Sequence, residues 1–554
     1  MSRKRGRTQT IKSSLTFGGL AAETDHLLEQ AYLDNGDYET IGSRLERRCF
    51  VIGRTGSGKS AAFAQLKREH SAHVISIEPE NLSLPYLTNL DAIRQLMDLN
   101  VHLEPFLVAL WKHVILVEVL KHRYHITSPE AKRSFLHQMK ERLQKDPAKM
   151  RAVQYLDEFG DKFWCDTDER VRQIAETLSE KLVAAGDLKV GIHGIGVGAK
   201  VENEQLYTQE VRQEQAARYQ RIVNETQLPR LNEMIVVLHE EVLDSEQHFT
   251  YLLVDDLDKE WVDQNLVNLL IRCLFQAVRD MIRVKHLKIL VALRTNIFRQ
   301  LDYGGQHQGG QEEKFRGMII PLHWTRHDLR ALLEQRAEAA SGFYGINPPV
   351  SLPELLPNTN KHRGDPLDHL LDRTLMRPRD AILFLNAVVR EAAGKRSVSW
   401  SDIHSAEIEY SRERLDALRD EWKNPFPGIE RVLEQFRGRK ARLDWRELTK
   451  VFDDIVTLPA DTNFPGTVWL TELSAGIWEA GAGSRSWDEM YGMLVYLLYE
   501  ISFLGLVEGE RTVYSYETTS PASMNTSIEG RTFEIHPAFR LGLQMSENHR
   551  LKKA

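Results

Sequence analysis

The chain has 554 residues, 42% of them hydrophobic and 27% charged, with a formal net charge of −7. That length suggests about three or four domains, and the composition is that of an ordinary globular protein. A negative net charge excludes a generally basic nucleic-acid binder, so contact with phosphate backbones requires a local patch. The three cysteines, Cys49, Cys165 and Cys273, are far apart, which excludes a disulfide framework or zinc knuckle and fits a reducing, cytoplasmic setting.

Residues 1–45 read as a basic N-terminal arm and a helix. "MSRKRGRTQTIKSS" has no apolar core behind it and is not a signal peptide. "RCFVI" is then strand-like and "SAAFAQLKREH" helix-like, and between them Gly53-Arg54-Thr55-Gly56-Ser57-Gly58-Lys59-Ser60 matches G-x-x-x-x-G-K-[ST] in full. A strand, a glycine bend and a helix N-terminus in that order make a phosphate cradle, closed by the first helical residues through Ala61. The three glycines let backbone N–H groups approach phosphate oxygens. Lys59 would reach the β- and γ-phosphates of ATP, and the Ser60 hydroxyl would bind Mg²⁺.

"AHVISIE" reads as a second strand. The apolar stretch "PFLVALWKHVILVEVL" is interrupted by Lys112, His113 and Glu118, falls short of the roughly 20 apolar residues of a membrane helix, and reads as a buried helix. It opens a helical insertion from about Leu84 to Asp244, far longer than an ordinary connection. Inside it, "KVGIHGIGVGAKVE" reads as a hairpin rather than a dinucleotide loop at Gly194-Ile195-Gly196. His113, His122 and His125 have no metal-ligand spacing and read as ordinary helix residues.

"FTYLLVDDLDKEW" is a third strand ending in acids. Asp255 would contact the Mg²⁺ shell, and Asp256, one methylene shorter than the commoner Glu, would orient or deprotonate the attacking water. "HLKILVALRTN" and "GMIIPLHW" complete five apolar runs alternating with helices. The expected fold is α/β: a P-loop NTPase with a five-stranded parallel sheet over 46–325, a helical lid over 326–424 and a winged-helix-like domain over 425–554. Ligand then binds at the carboxyl ends of the strands.

These motifs resemble the P-loop ATPases of the AAA+ and STAND type. The resemblance implies that Arg294 and Asn296 of "LRTN" sense the γ-phosphate. It implies that Arg316, with Lys314 as a neighbour, is an arginine finger acting on another subunit. It also implies that Arg377 and Arg379 of "LMRPRDAILFLN" reach the nucleotide from the lid. "GRTGSGKSA", "VDDLD", "LRTN", "RPRD" and "FEIHPAF" together are similar to a bacterial family of P-loop ATPases whose genes neighbour phage-defence or restriction genes. Asn296 stands where that family carries Asp.

From Pro425, "DWRELTKVFDDIV", "TVWLTELSAGIWEAG" and "SWDEMYGMLVYLLYEISFLGLVE" read as three helices. "RTVYSYE" and "RTFEIHPAF" read as strands joined by a polar loop. The third helix is apolar nearly all round and starts with Asp488 and Glu489, so it suits a core or a protein partner better than a DNA groove. The cations of "RGRKARLDWR" read as a solvated turn. No nuclease, Ser/His/Asp or zinc constellation is visible. The expected protein is an ATP-driven switch, homo-oligomeric or acting on a separately encoded effector, in anti-phage defence. A DNA-loading or DNA-repair ATPase of the origin-recognition kind and a scaffold with little turnover are the alternatives, with nucleic-acid contacts weak and non-specific.

Overall fold

The computed structural model describes residues 10–78, 102–126, 128–147, 149–150, 153, 229–257, 264–301, 315–478, 486–517 and 527–546. The expected hairpin over 189–202, Lys314, Cys165 and most of the insertion lie outside these residues. The chain divides into two compact units: 36–54 with 59–323, and 1–35 with 55–58 and 324–554.

The first unit is built on strands β1 (Phe50–Gly53), β2 (Val74–Ile77), β3 (Thr250–Val254), β4 (Leu287–Arg294) and β5 (Ile319–Pro321). They form one sheet in the order β2-β3-β4-β1-β5, and every neighbouring pair is parallel. All five are the runs expected from sequence. Their side chains alternate between two apolar layers. Phe50, Ile52, Leu252, Val254, Ile289, Val291 and Leu293 share one core with the buried helices Glu104–Tyr124 and Gln264–Met281. Val51, Tyr251, Leu253, Leu290 and Ala292 pack on the other side with Phe63 and Leu66 of the helix Lys59–Glu69. A parallel sheet buried on both faces needs such continuous apolar strands. Lys112, which interrupts the long apolar helix, pairs with Asp280 at 2.7 Å, and Trp111 donates its indole N–H to the Leu270 carbonyl. Among the described residues no helix is long and apolar enough to cross a membrane.

The described part of the insertion is helical: Glu104–Tyr124, Pro129–Arg142 and Pro229–Val237. His113 is fully buried, and no His/Cys/Asp/Glu group suited to a metal occurs among the described residues.

In the second unit, the lid helices are Arg326–Phe343, Pro366–Leu371, Pro378–Glu391 and Trp400–Trp422. Capping boxes at Thr325/Asp328 and Ser399/Asp402 start two of them by satisfying their first N–H groups. The N-terminal arm departs from expectation. Residues 10–35 are not a separate arm: Ile11, Leu15, Phe17 and Leu27 are buried in the lid core. Asn386 clamps both sides of one turn, accepting from the Phe17 N–H at 2.8 Å and donating to the Gly18 carbonyl at 3.0 Å. Asp25 and Arg336 form a buried ion pair at 2.6 Å, with side chains only 3% and 4% exposed. Only the short helix Asp37–Gly42 groups with the sheet.

The C-terminal region also differs in detail. The expected third helix ends at Glu500, because Ser502 is left-handed at φ 61° and closes it. The Ser502 N–H bonds to Tyr499 O and the Phe503 N–H to Leu498 O, the double contact of a Schellman stop. Its expected tail is instead β7 (Leu504–Glu508), which forms a hairpin with β8 (Arg511–Val513). β9 (Thr532–Ile535) pairs with β7 rather than with β8, and β6 (Arg442–Asp444), unforeseen, pairs with β9. The second expected helix is broken at Ser474 into Thr467–Leu473 and Ala475–Trp478.

Removing one partner of a buried ion pair leaves an uncompensated charge, at a cost of about 3–5 kcal/mol. Asp25→Ala should therefore destabilise the second unit by that order and expose 10–35 to protease. Denaturant melts and limited proteolysis would check it; a wild-type melt would show that the pair contributes nothing.

Candidate nucleotide site

In the first unit the parallel sheet brings the phosphate loop's flanks and the acidic strand end to one edge. Gly53, the last residue of β1, lies in register with Arg294, the last of β4, and β3 beside β4 ends one residue before Asp255. Lys59 Nζ donates to the carbonyls of Gly53 (2.9 Å) and Arg54 (3.2 Å), which folds the ammonium into the arc of the loop. Ser60 Oγ donates to Asp255 Oδ2 at 3.0 Å. The other carboxylate oxygen accepts the Asp256 N–H at 2.9 Å, so Asp255 is fixed at both ends. Ala61 occupies the first turn of the helix that Lys59 and Ser60 begin.

Burial raises the Asp255 carboxyl above the ordinary range, and the neighbouring Asp256 adds to this, against the pull of its own hydrogen bonds and of Lys59. A half-buried carboxylate bonded to a serine hydroxyl and raised in this way is a site short of positive charge. The donor set, two hard oxygens, suits Mg²⁺. These residues therefore fit the metal.

Asp256 has a left-handed backbone, φ 58°. Asp and Asn tolerate that region far better than residues without a short polar side chain. This supplies a backbone reason for Asp, rather than Glu, at the position. Asn296 is buried, 7% exposed, in the short helix Thr295–Gln300 that follows Arg294. Arg316 is exposed just before β5.

In the second unit the loop tip, residues 55–58, meets the lid. Gly56 and Gly58 sit at φ 77° and 101°. A Cβ on Gly56 would lie 2.8 Å from Arg379 Cβ, so glycine is required by both conformation and space. Trp324 donates its indole N–H to the Ser57 carbonyl at 2.8 Å. The hydroxyls of Thr55 and Ser57 are buried with no protein hydrogen-bond partner among the described residues, as donors meant for a phosphate would be.

The two lid arginines separate. Arg379 lies against Gly56 and donates to the Leu20 carbonyl. Arg377 requires correction: it is 5% exposed and turned inward, donating to Asp380 at 2.8 Å and to Glu421 at 3.3 Å. Arg414 completes the cluster on Asp380 at 2.6 Å. Burial alone would raise the Asp380 carboxyl, but the Arg377 and Arg414 guanidiniums outweigh it and hold it at about 2. Arg377 thus ties the helix Pro378–Glu391 to Trp400–Trp422 and is not offered to a nucleotide.

The basic C-terminal turn is also committed. Arg437 pairs with Glu434, Arg439 with Asp454, Lys440 with Glu447, and Arg442 approaches Glu534. Glu489 caps the helix Trp487–Glu500 with Ser486, and Asp488 accepts from Ile528 N and Ser527. Trp324 and residues 16–25 were missed in the sequence. The first had a signal, an aromatic at the carboxyl end of the fifth strand; the second was masked by the basic residues preceding it.

Residues 327–419, nearly the whole lid, match the FunZ-associated C-terminal helical domain. The chain is 21% identical over 569 residues to the putative transposon gamma-delta 80.3 kDa protein of Escherichia coli (strain K12), a match covering 97% of this chain and 68% of that protein. Among solved structures, the Aeropyrum pernix ORC1 protein in complex with DNA aligns over 94% of this chain and 89% of its own, at 13% identity and a TM-score of 0.30. At that score the nucleotide-binding assignment rests on the sheet order and the loop themselves.

Ser60→Ala would remove both the hydroxyl on Asp255 and the expected metal ligand. ATP affinity in the presence of Mg²⁺ should fall at least tenfold, by roughly the worth of a charge-assisted bond, while affinity in EDTA changes little. Titration calorimetry under both conditions checks this; equal losses with and without Mg²⁺ would remove Ser60 from the metal site.

Proposed function

We propose that the chain binds ATP with Mg²⁺ and hydrolyses it slowly, as a switch acting on a partner protein. The observation that carries this reading is the Ser60–Asp255 hydrogen bond, which joins the first turn of the phosphate-loop helix to an acidic strand end. Ser60 and Asp255 would hold Mg²⁺, which would neutralise charge on the β- and γ-phosphates. Lys59 would bind the same phosphates once released from the Gly53 and Arg54 carbonyls. Asp256 would accept the proton of the attacking water. Arg294, which ends β4, and Asn296, in the helix that follows it, would contact the γ-phosphate.

The region after Pro425 is read as a winged helix, three helices, the second broken in two, followed by the β7–β8 wing. The side of the helix Trp487–Glu500 left to solvent carries Glu489, Met493 and Tyr496, with Met493 57% and Tyr496 42% exposed. The helix contains no Lys, Arg or His. A partner protein suits that face better than a DNA groove does, and the paired cations at 437–442 weaken the origin-recognition alternative further. The sequence resemblance at the motifs supports a defence setting, and the likeness to a transposon-borne protein fits a chain concerned with mobile DNA.

The direct test is ATP binding and turnover, with and without duplex DNA. Lys59→Ala should abolish binding or weaken it at least a hundredfold. Asp256→Asn, which keeps the left-handed backbone, should hold ATP and lose turnover. Wild-type behaviour of Lys59→Ala would sink the assignment, and strong stimulation by DNA would favour the DNA-loading reading. Phage plating on cells carrying the gene with its neighbours, wild type against Lys59→Ala, tests the defence role; equal plating would remove it.

Arg316 is the proposed finger. Its exposure before an edge strand suits action on a second copy, and such a residue contributes about 10³-fold in rate. Arg316→Ala should lower kcat by that order with ATP affinity unchanged. Full turnover by a dilute wild-type monomer would exclude the role.

A further inference from the structure

The tip of the phosphate loop groups with the lid rather than with the sheet, and two contacts account for it. The backbone N–H of Arg379 donates to the Gly56 carbonyl at 3.3 Å. The Trp324 indole N–H donates to the next carbonyl, that of Ser57, at 2.8 Å. A trans peptide unit is planar, with its C=O and N–H pointing in opposite directions. The Gly56 carbonyl shares its peptide unit with the Ser57 N–H, and the Ser57 carbonyl shares its unit with the Gly58 N–H. Fixing the two carbonyls on lid donors therefore turns two consecutive N–H groups the other way. Ser57 lies between residues at φ 77° and 101° and is not itself left-handed, the alternation that forms an anion-binding nest of amides. The Ser57 hydroxyl, in a residue only 5% exposed and without a protein partner, lies on the same turn.

We infer that Trp324 and Arg379 are positioning residues that set the direction of the phosphate-binding amides, so that the lid governs affinity for the polyphosphate of a nucleoside di- or triphosphate. The inference rests on the nucleotide-binding reading above. Trp324 is the sharper element. Its indole also lies over Gly58, where a Cβ would meet the ring at 3.8 Å, and its N–H is its one donor. Arg379 is held in turn by the N-terminal segment, through Nε to the Leu20 carbonyl at 2.9 Å. Leu20 lies two residues beyond the Gly18 carbonyl that Asn386 clamps. The segment 16–20 is thus linked to the loop through Arg379.

Trp324→Phe keeps the ring and removes the N–H. In the full-length chain the Kd for ATP and for ADP should each rise about tenfold, the worth of one hydrogen bond, while kcat at saturating ATP stays within about twofold. The ligand-free melting temperature should hold, and the extra stabilisation given by ADP should shrink. A nucleotide-dependent change in tryptophan fluorescence should be lost with that one of the ten tryptophans. If the ligand-free melt falls, Arg379→Pro carries the test: in the first turn of its helix, where proline is tolerated, it removes the N–H held on the Gly56 carbonyl and should raise both Kd values. A folded variant of either kind that binds ATP and ADP as the wild type does would overturn the inference. A wild-type chain that binds no nucleotide would overturn the underlying reading instead.

Discussion

The hydrogen bond from Ser60 to Asp255 depends on nearly everything in the first unit. Ser60 follows β1 by seven residues and Asp255 follows β3 directly, yet the two strands are not neighbours; β4 lies between them. Only the insertion of β4 places the two strand ends so that a serine hydroxyl spans to a carboxylate. Just beyond the end of β3, partial burial raises that carboxylate's proton affinity. The site is therefore under electrostatic tension that a divalent cation would relieve, and the sheet's packing is what maintains it.

The sheet was legible because its physics is local. A parallel strand buried on both faces must be apolar throughout, and turns or helix starts punctuate each run. The C-terminal region lacked that punctuation. "ISFLGLVE" continues an apolar helix without Gly or Pro at the break, and a left-handed Ser502 does the work usually given to glycine. The N-terminal segment failed for another reason. Phe17 finds Asn386 at a separation of 369 residues, and no periodicity within the segment announces such a partner.

The cations were hardest to read. Sequence gives their positions but not what they face. Arg377 and Arg379 are two residues apart at a helix start, yet one is sealed against Asp380 and Glu421 while the other lies on the phosphate loop. Arg377 is the extended N-cap residue, outside the helical turn, whereas Arg379 is already inside it, so the two side chains leave the backbone in unrelated directions. The run 437–446 read as a solvated turn, and the sequence could not show that four of its cations stand beside carboxylates.

The left-handed turn at Asp256 has an evolutionary reading. A backbone at φ 58° narrows the side chains that fit without strain to Asp, Asn and Gly. In the genetic code Asn and Gly are each one base change from Asp. On the proposed mechanism both would delete the proton acceptor while leaving the turn intact. A lineage carrying this fold can therefore pass from a hydrolysing switch to a permanently loaded one, and back, in a single step and without an intermediate that misfolds. The lengthening to Glu, which would improve reach, is the step the turn obstructs.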